Sequence, residues 1–425
     1  MKYSAWKYLA ATTFFTLICS TPSPIAAFIA GAKASGMAAT GIAYPQDAFA
    51  GAYNPAGIVE IGNRVDIGID WIRDKGKAEV TLTKSKQFSP FRKSYNPFKS
   101  PNMINADLGI NSNFTTEICG DSWDWAFGMV LYNHNYQKTS YQKSIHFLGS
   151  TKVGMEYIHE VLSPILSLRL NECHCIGLSV DVHLQRTNVK GLQNYANRVL
   201  SESPNHVTNK GYAYSSGVGV TLGWKWLATE ALTVGAVYRS KVSMSKLHKY
   251  KGLLAEGGGL DTPEEWGLGL AYQFLPCSTF TFDIIWLNWQ GVKSYHNQLH
   301  AHGRFKRLGS NEGPGFGFQN QIFYRFGIDY ALNEHWTVRM GFRHTNPFIK
   351  KTQTFSNITN CDTIENYLSL GATYTYISNE FTIFYAYGFE NTIRGKKAIP
   401  SFIGEGNVNL TESENVLGLS WGYVF

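Results

Sequence analysis

No run of apolar residues in this sequence approaches the roughly 20 that a membrane-spanning helix requires. Any passage through lipid must therefore be made by strands closed into a barrel, the other structure that satisfies every backbone polar group without water. Charge is also scarce. Only 16% of the 425 residues are charged, and the formal net charge of +7 gathers in no run. That is poor evidence for a nucleic-acid partner and fits either a basic lumen or a surface facing anionic lipid. Cysteine is rare: beyond Cys19, the chain holds Cys119, Cys173, Cys175, Cys277 and Cys361, an odd set that gives no complete disulfide framework. Cys173 and Cys175 flank His174 without a second pair elsewhere, which argues against a zinc site. There is no Gly-x-Ser-x-Gly elbow, no His-Glu-x-x-His helix and no phosphate loop, so neither an enzyme nor a cofactor is implied.

What is present is apolar and aromatic side chain, at 44% and 14% of the residues, which excludes a disordered chain. The mean hydropathy of −0.18 is nevertheless that of a water-soluble protein. Lys2 and Lys7 precede the apolar stretch from Leu9 to Ile18, followed by Pro22, Pro24 and the small pair Ala26 and Ala27. This reads as an export signal over 1–27, cut after Ala27.

From Arg64 onward one parity is apolar and the other small or polar. Val65, Ile67, Ile69 and Trp71 alternate with Asp66, Gly68 and Asp70, and Ile176, Leu178, Val180, Val182 and Leu184 alternate with Gly177, Ser179, Asp181, His183 and Gln185. Period two is the mark of strands with two unlike faces. The pattern predicts strands near 65–72, 104–113, 122–133, 152–170, 176–186, 216–227, 231–244, 264–274, 279–290, 321–330, 335–344, 366–376, 381–390 and 414–425. Tight turns at 171–175, 228–230, 275–278, 331–334 and 377–380 alternate with long connections at 187–215, 245–263, 291–320, 345–365 and 391–413. Short turns on one side, long loops on the other and an even strand number predict an all-β fold: an antiparallel transmembrane barrel of about fourteen strands over 64–425, placed in the outer membrane. The chain ends on Leu417, Leu419, Trp421, Tyr423 and Phe425, all on the outward parity. The aromatic pairs Trp224/Trp226, Trp286/Trp289 and Tyr374/Tyr376 sit where an interfacial girdle would lie.

Residues 28–63 are unlike the rest, with Gly31, Ala32, Ala34, Ser35, Gly36, Ala38, Ala39, Thr40, Gly41 and Ala43 packed into one small-residue stretch. Small side chains permit close backbone approach, which predicts a plug folded inside the lumen. The run from Gly31 to Ile58, GAKASGMAATGIAYPQDAFAGAYNPAGI, resembles the amino-terminal hatch of the FadL/TodX (OmpP1-like) family, down to Asp47-Ala48 and Asn54-Pro55-Ala56. Tyr238-Arg239-Ser240-Lys241, Thr262-Pro263, Trp286-Leu287-Asn288-Trp289 and the Leu332-to-Thr337 turn match in order. The resemblance spans essentially the whole mature chain. It implies a fourteen-stranded barrel that takes up hydrophobic compounds, most of all long-chain fatty acids, and releases them when the hatch rearranges.

The candidate functional residues follow from parity and composition. Asp47, Asn54, Pro55 and Ala56 are expected to set the closed hatch, with Asp47 holding it to a lumen arginine. Arg239, Lys241, Arg325, Arg339 and Arg343 fall on inward parity. There they either fork onto a substrate carboxylate or pair with inward Asp181, Glu265, Asp283 or Asp329 to brace the wall. Phe88, Phe91, Tyr95 and Phe98, interleaved with lysines and Arg92 in the loop after the first strand, suit capture of an anionic amphipath or contact with lipid head groups. Leu192, Tyr195, Ala196, Val199 and Leu200 have the spacing of one face of a short helix that lines the capture groove or merely caps the barrel. The partners implied are a hydrophobic small molecule and outer-membrane lipid, with a monomer favoured. A general diffusion porin and a structural surface antigen are the rival readings.

Overall fold

The computed structural model describes residues 30–118, 120–299 and 305–425, so the expected export signal and Cys119 lie outside the described residues. The strands are β1 (Arg64–Lys84), β2 (Phe91–Tyr95), β3 (Asn102–Ile118), β4 (Asp121–Ser140), β5 (Gly154–Arg169), β6 (His174–Lys190), β7 (Ala213–Leu227) and β8 (Leu232–Arg239), then β9 (Glu265–Leu275), β10 (Ser278–Leu287), β11 (Gln321–Ala331), β12 (Trp336–Thr345), β13 (Asn366–Tyr376), β14 (Asn379–Arg394) and β15 (Glu405–Val424). Each barrel strand pairs antiparallel with its neighbours, and β15 closes on β1 from Arg64↔Val424 to Lys84↔Glu405. Of the fifteen strands, β2 pairs with the outer end of β1 at Ala78–Leu82, and the other fourteen form the closed ring.

Burial follows the alternation. Ile67, Ile69, Trp71, Ile176, Leu178 and Val180 are exposed on the outer wall, whereas Asp66, Ser179, Asp181 and His183 are buried inside. Lipid tolerates the apolar parity, and the lumen takes the polar one. Above this band the parity inverts. Arg73, Lys75 and Lys77 are exposed on the outer face of β1, while Ala78, Val80 and Leu82 are buried on the inner one. The wall there stands in water and packs its apolar face against the loops. This is why β1, β4 and β15 run 21, 20 and 20 residues, well beyond the spans that lipid-type alternation marks.

Other expectations are corrected. β8 ends at Arg239, five residues short of the predicted strand, so Lys241 lies outside the ladder, half exposed, with its Nζ donating to the Gly291 carbonyl at 2.7 Å. The loop helix is not formed: residues 193–195 make a single 3-10 turn with Tyr195 buried, and Val199 points to solvent. Trp289 belongs to no girdle; it is buried, donating to Gln321 Oε1 at 3.0 Å. The first long loop folds back as β2, burying Tyr95 and Phe98 and setting Phe88 and Phe91 5.2 and 5.1 Å from the His146 ring.

One seam of the wall is incomplete. β3 pairs with β4 from Ile118↔Asp121 up to Leu108↔Leu131, and there the ladder stops. Residues 102–107 of β3 remain paired to β1, while β4 stays with β5 across a bulge between Asn133 and Asn135 that takes up His134. The extra residue bends β4 away from β3. Higher up the two segments meet again, Lys99 N donating to Ser140 O at 3.1 Å and Ser140 N to Pro97 O at 2.6 Å. The result is a window in the backbone pairing of the wall, where residues 102–107 have no ladder partner on β4.

Candidate functional site: a latched hatch beneath an aromatic cavity

The segment from Ala30 to Val59 lies within the barrel and is almost wholly buried. Its regular pieces are α1 (Ala32–Ser35), α2 (Ala50–Tyr53) and a 3-10 turn (Pro55–Glu60), too short to be stable alone. The lumen supplies what they lack. Asp283 accepts from the Gly41 and Ile42 amides at 2.8 and 3.2 Å, Asp66 from Ala48 N at 2.9 Å, and Asp329 from the Tyr44 hydroxyl at 2.7 Å. Ser369 Oγ accepts from Ala38 N at 2.8 Å. Arg325 donates to Ala39 O at 2.9 Å, Arg339 to Gln46 Oε1 at 2.9 Å, and Arg239, ion-paired with Glu265, donates to the carbonyls of Ala52 and Tyr53.

The signature Asn54-Pro55-Ala56 is the turn into the 3-10 segment. Asn54 Oδ1 accepts from Ala56 N at 3.0 Å, and its Nδ2 donates to Ile42 O at 2.8 Å and to Trp224 O of the wall at 3.1 Å. The turn fits because the facing wall residues are Gly177 and Gly223. A Cβ on Gly177 would come within 2.2 Å of Pro55 C, and one on Gly223 within 2.1 Å of Asn54 Oδ1.

Asp47 caps the Phe49 amide at 3.1 Å. The ion pairs beside it run through other residues: Arg64 bridges Asp66 at 2.7 Å and Glu380 at 2.5 Å, and Lys33 bridges Glu380 at 2.7 Å. Burial pushes the Asp47 carboxyl up to about 6, with the Asp66 carboxylate adding to the rise and Lys33 and Arg64 opposing it. Burial likewise lowers the Lys33 ammonium, with Glu380 opposing. Lys33, Arg64 and Glu380 had no role in the sequence reading; their signal is a single cation within the hatch, Lys33, and two charges of inward parity on the wall, Arg64 and Glu380.

Above the hatch opens a cavity of about 1350 Å³, space open to solvent included. One side is aromatic: Trp289, Tyr295, Phe316, Phe318, Phe323 and Phe348. The Phe316 and Phe318 rings stack at 5.4 Å, and Trp289 meets Tyr295 at 4.7 Å. Sequence reasoning missed this wall, although Gly315-Phe316-Gly317-Phe318 is an aromatic alternation inside a loop, where no strand is needed. A second, apolar cavity of about 820 Å³ lies among the outer loops and shares Met155 and Phe316 with the first. Leu192 and Tyr195 line it, so that loop faces the groove.

The lower cavity carries a belt of inward residues fixed by register. Asp283↔Arg325↔Arg343↔Tyr367 are opposed on β10 to β13, and Glu414↔Asp74 on β15 and β1. Two arginines directly opposed on neighbouring strands repel unless an anion or a π-face lies between them. Phe323 takes both, 5.5 Å from the Arg325 guanidinium and 5.6 Å from that of Arg343, which also lies 4.0 Å over Tyr367. Asp362, on the loop beside them, is pushed up to about 7 by burial, with Arg343 opposing. Of the five cations that parity singled out, Arg325 and Arg343 reach the cavity, Arg239 and Arg339 fasten the hatch, and Lys241 lies outside both.

Comparison with known proteins agrees with this geometry. The family model for the outer membrane protein transport protein (OMPP1/FadL/TodX) matches residues 17–425. The chain belongs to that family. Similar solved structures include a FadL homologue of Pseudomonas aeruginosa, 16% identical, covering 93% of this chain and 98% of its own with a TM-score of 0.67. The toluene transporter TodX of Pseudomonas putida is also 16% identical, with the same coverage and a TM-score of 0.64. The toluene transporter TbuX of Ralstonia pickettii is 14% identical, again covering 93% and 98%, with a TM-score of 0.60. No curated protein sequence matches the chain. As a member of this family the FadL/TodX-type protein is an outer-membrane β-barrel channel for hydrophobic compounds. Its relatives are transport channels rather than enzymes.

Proposed function

We propose that this FadL/TodX-type channel takes up long-chain fatty acids. The carrying observation is the Arg325–Arg343 pair at the base of an aromatic cavity, continuous with an apolar groove among the outer loops. A tail fills the apolar path by the hydrophobic effect, and its carboxylate bridges the two guanidiniums, adding charge-assisted hydrogen bonds to the π-face cover that Phe323 gives them. Arg325 also donates to Ala39 O of the hatch, so a carboxylate that draws Arg325 away releases that carbonyl. Binding and unlatching then share one side chain. The window between β3 and β4, opening beside the hatch, offers a path toward lipid that bypasses the polar lumen below.

A second reading, uptake of monoaromatic hydrocarbons, draws on the aromatic wall and on the toluene transporters among the similar structures. Uptake of labelled oleate and of toluene by cells carrying the wild type or R325Q/R343Q separates the two. For a fatty acid channel, oleate uptake saturates and falls by about tenfold or more in the variant, since charge-assisted hydrogen bonds are worth about 1.5–3 kcal/mol each, while toluene uptake is kept. Toluene uptake without oleate uptake supports the second reading, and free passage of small sugars through the wild type leaves a porin.

A further inference from the structure

The outer face of the barrel changes character abruptly on one side. On the paired strands β1, β15 and β14, the outward rows rise as Ile67–Trp421–Phe381, Ile69–Leu419–Ile383 and Trp71–Leu417–Tyr385, every one exposed. The rows above are Arg73–Asn415–Tyr387, Lys75–Ser413, Lys77–Thr411–Thr392 and Glu79–Asn409–Arg394. Lipid tails fit the first three rows, so Arg73 and Lys75 fall at the polar edge of the membrane.

Arg73, Lys75, Lys77 and Arg394 are all exposed. Lys77 is bridged to Glu79 at 3.3 Å, and among the described residues no ion pair engages Arg73, Lys75 or Arg394. Arg92 of β2, opposite Thr81, adds a further cation, and Glu390 at the β14 bulge is the other exposed acid of these rows. Cations thus outnumber carboxylates on this face. Three strands along from β1 the charges balance: Glu156 and Glu160 point outward on β5 beside Arg186 and Lys190 of β6, with Arg186 bridged to Glu156 at 3.5 Å.

We propose that the β1–β15–β14 face binds the phosphate groups of a phosphorylated glycolipid in the outer leaflet. Charge complementarity picks an anionic partner, and the depth of the face picks the head group. From Arg73 to Glu79 the cation-bearing rows climb roughly 20 Å along the strand, several times the reach of a single phosphodiester. A phosphorylated sugar head fills such a height, its phosphates meeting Arg73 and Lys75 and its hydroxyls meeting the amides of Asn409 and Asn407. Its acyl chains then lie against Trp71, Tyr385 and Leu417.

The full chain, purified in mild detergent and offered phosphorylated glycolipid, its dephosphorylated form or phosphatidylglycerol, is weighed intact by mass spectrometry. The wild type and E156Q/R186Q retain the phosphorylated glycolipid. R73Q/K75Q binds it about tenfold more weakly or worse, at about 1 kcal/mol per surface cation, and R73K restores part of the loss seen in R73Q. Equal retention by R73Q/K75Q, or equal binding of the dephosphorylated glycolipid or phosphatidylglycerol, overturns the proposal. Heat-modifiable gel mobility shows that each variant is a folded barrel.

Discussion

A carboxyl group held in the lumen tells how firmly the hatch sits at a given pH. Asp47 is buried among Lys33, Arg64, Asp66 and Glu380, and its carboxyl is raised from 3.8 in water to about 6. For an acid whose seated value is raised, the stabilisation is present below the free value and is lost as pH rises through the seated one. The share of the hatch's hold that Asp47 carries is therefore full below about pH 4 and is lost between pH 4 and 6. Single-channel conductance in planar bilayers is expected to rise over that window and level off above it. D47N, which cannot ionise, flattens the profile; an unchanged pH profile in D47N removes Asp47 from the latch.

At the scale of elements, the hatch and the wall are fitted by what the wall leaves out. Inward Gly177 and Gly223 receive the Asn54-Pro55 turn, and a methyl on Gly223 collides with the Asn54 amide that bonds Ile42 and Trp224. G223A is expected to cost about 1–3 kcal/mol of hatch docking through overpacking and to raise leak of small solutes, while heat-modifiable mobility stays that of a folded barrel. Leak equal to wild type would mean that the turn yields without opening. Much of this element was legible beforehand: a small-residue stretch unsuited to a lipid-facing strand packs closely inside the lumen, and Asn-Pro marks a turn. The strand cores were legible for the same reason, since lipid enforces one parity. The outer halves of β1, β4 and β15 were not, because Ala78, Val80 and Leu82 face inward where Ile67 and Ile69 face outward, and a parity reading breaks at the inversion. Arg325 and Arg343 were legible as inward cations. That they oppose each other while Arg239 and Arg339 fasten the hatch depends on register between strands, which alternation along one strand does not contain.

At the scale of the whole molecule, the path proposed above joins a loop groove, an aromatic cavity ending on two arginines, a hatch tied to one of them, and a window where β4 leaves β3. The window depends on a single inserted residue. His134 is the extra residue between Asn133 and Asn135, and without it β4 and β5 would pair without the shift. β4 would then run straight, free to continue its ladder with residues 102–107 of β3 above Leu108↔Leu131. Each restored backbone pair is worth roughly 0.5–1.5 kcal/mol net, so the closed wall has a gain to set against the lost bulge. Deletion of His134 is expected to leave a folded barrel with a seated hatch and normal capture of labelled oleate at the cell surface, while its transfer inward falls about tenfold or more. If transfer continues at the wild-type rate in a barrel shown to be folded, the substrate leaves through the space vacated by the hatch, and the window in the wall is only a consequence of how β4 turns to meet the loops.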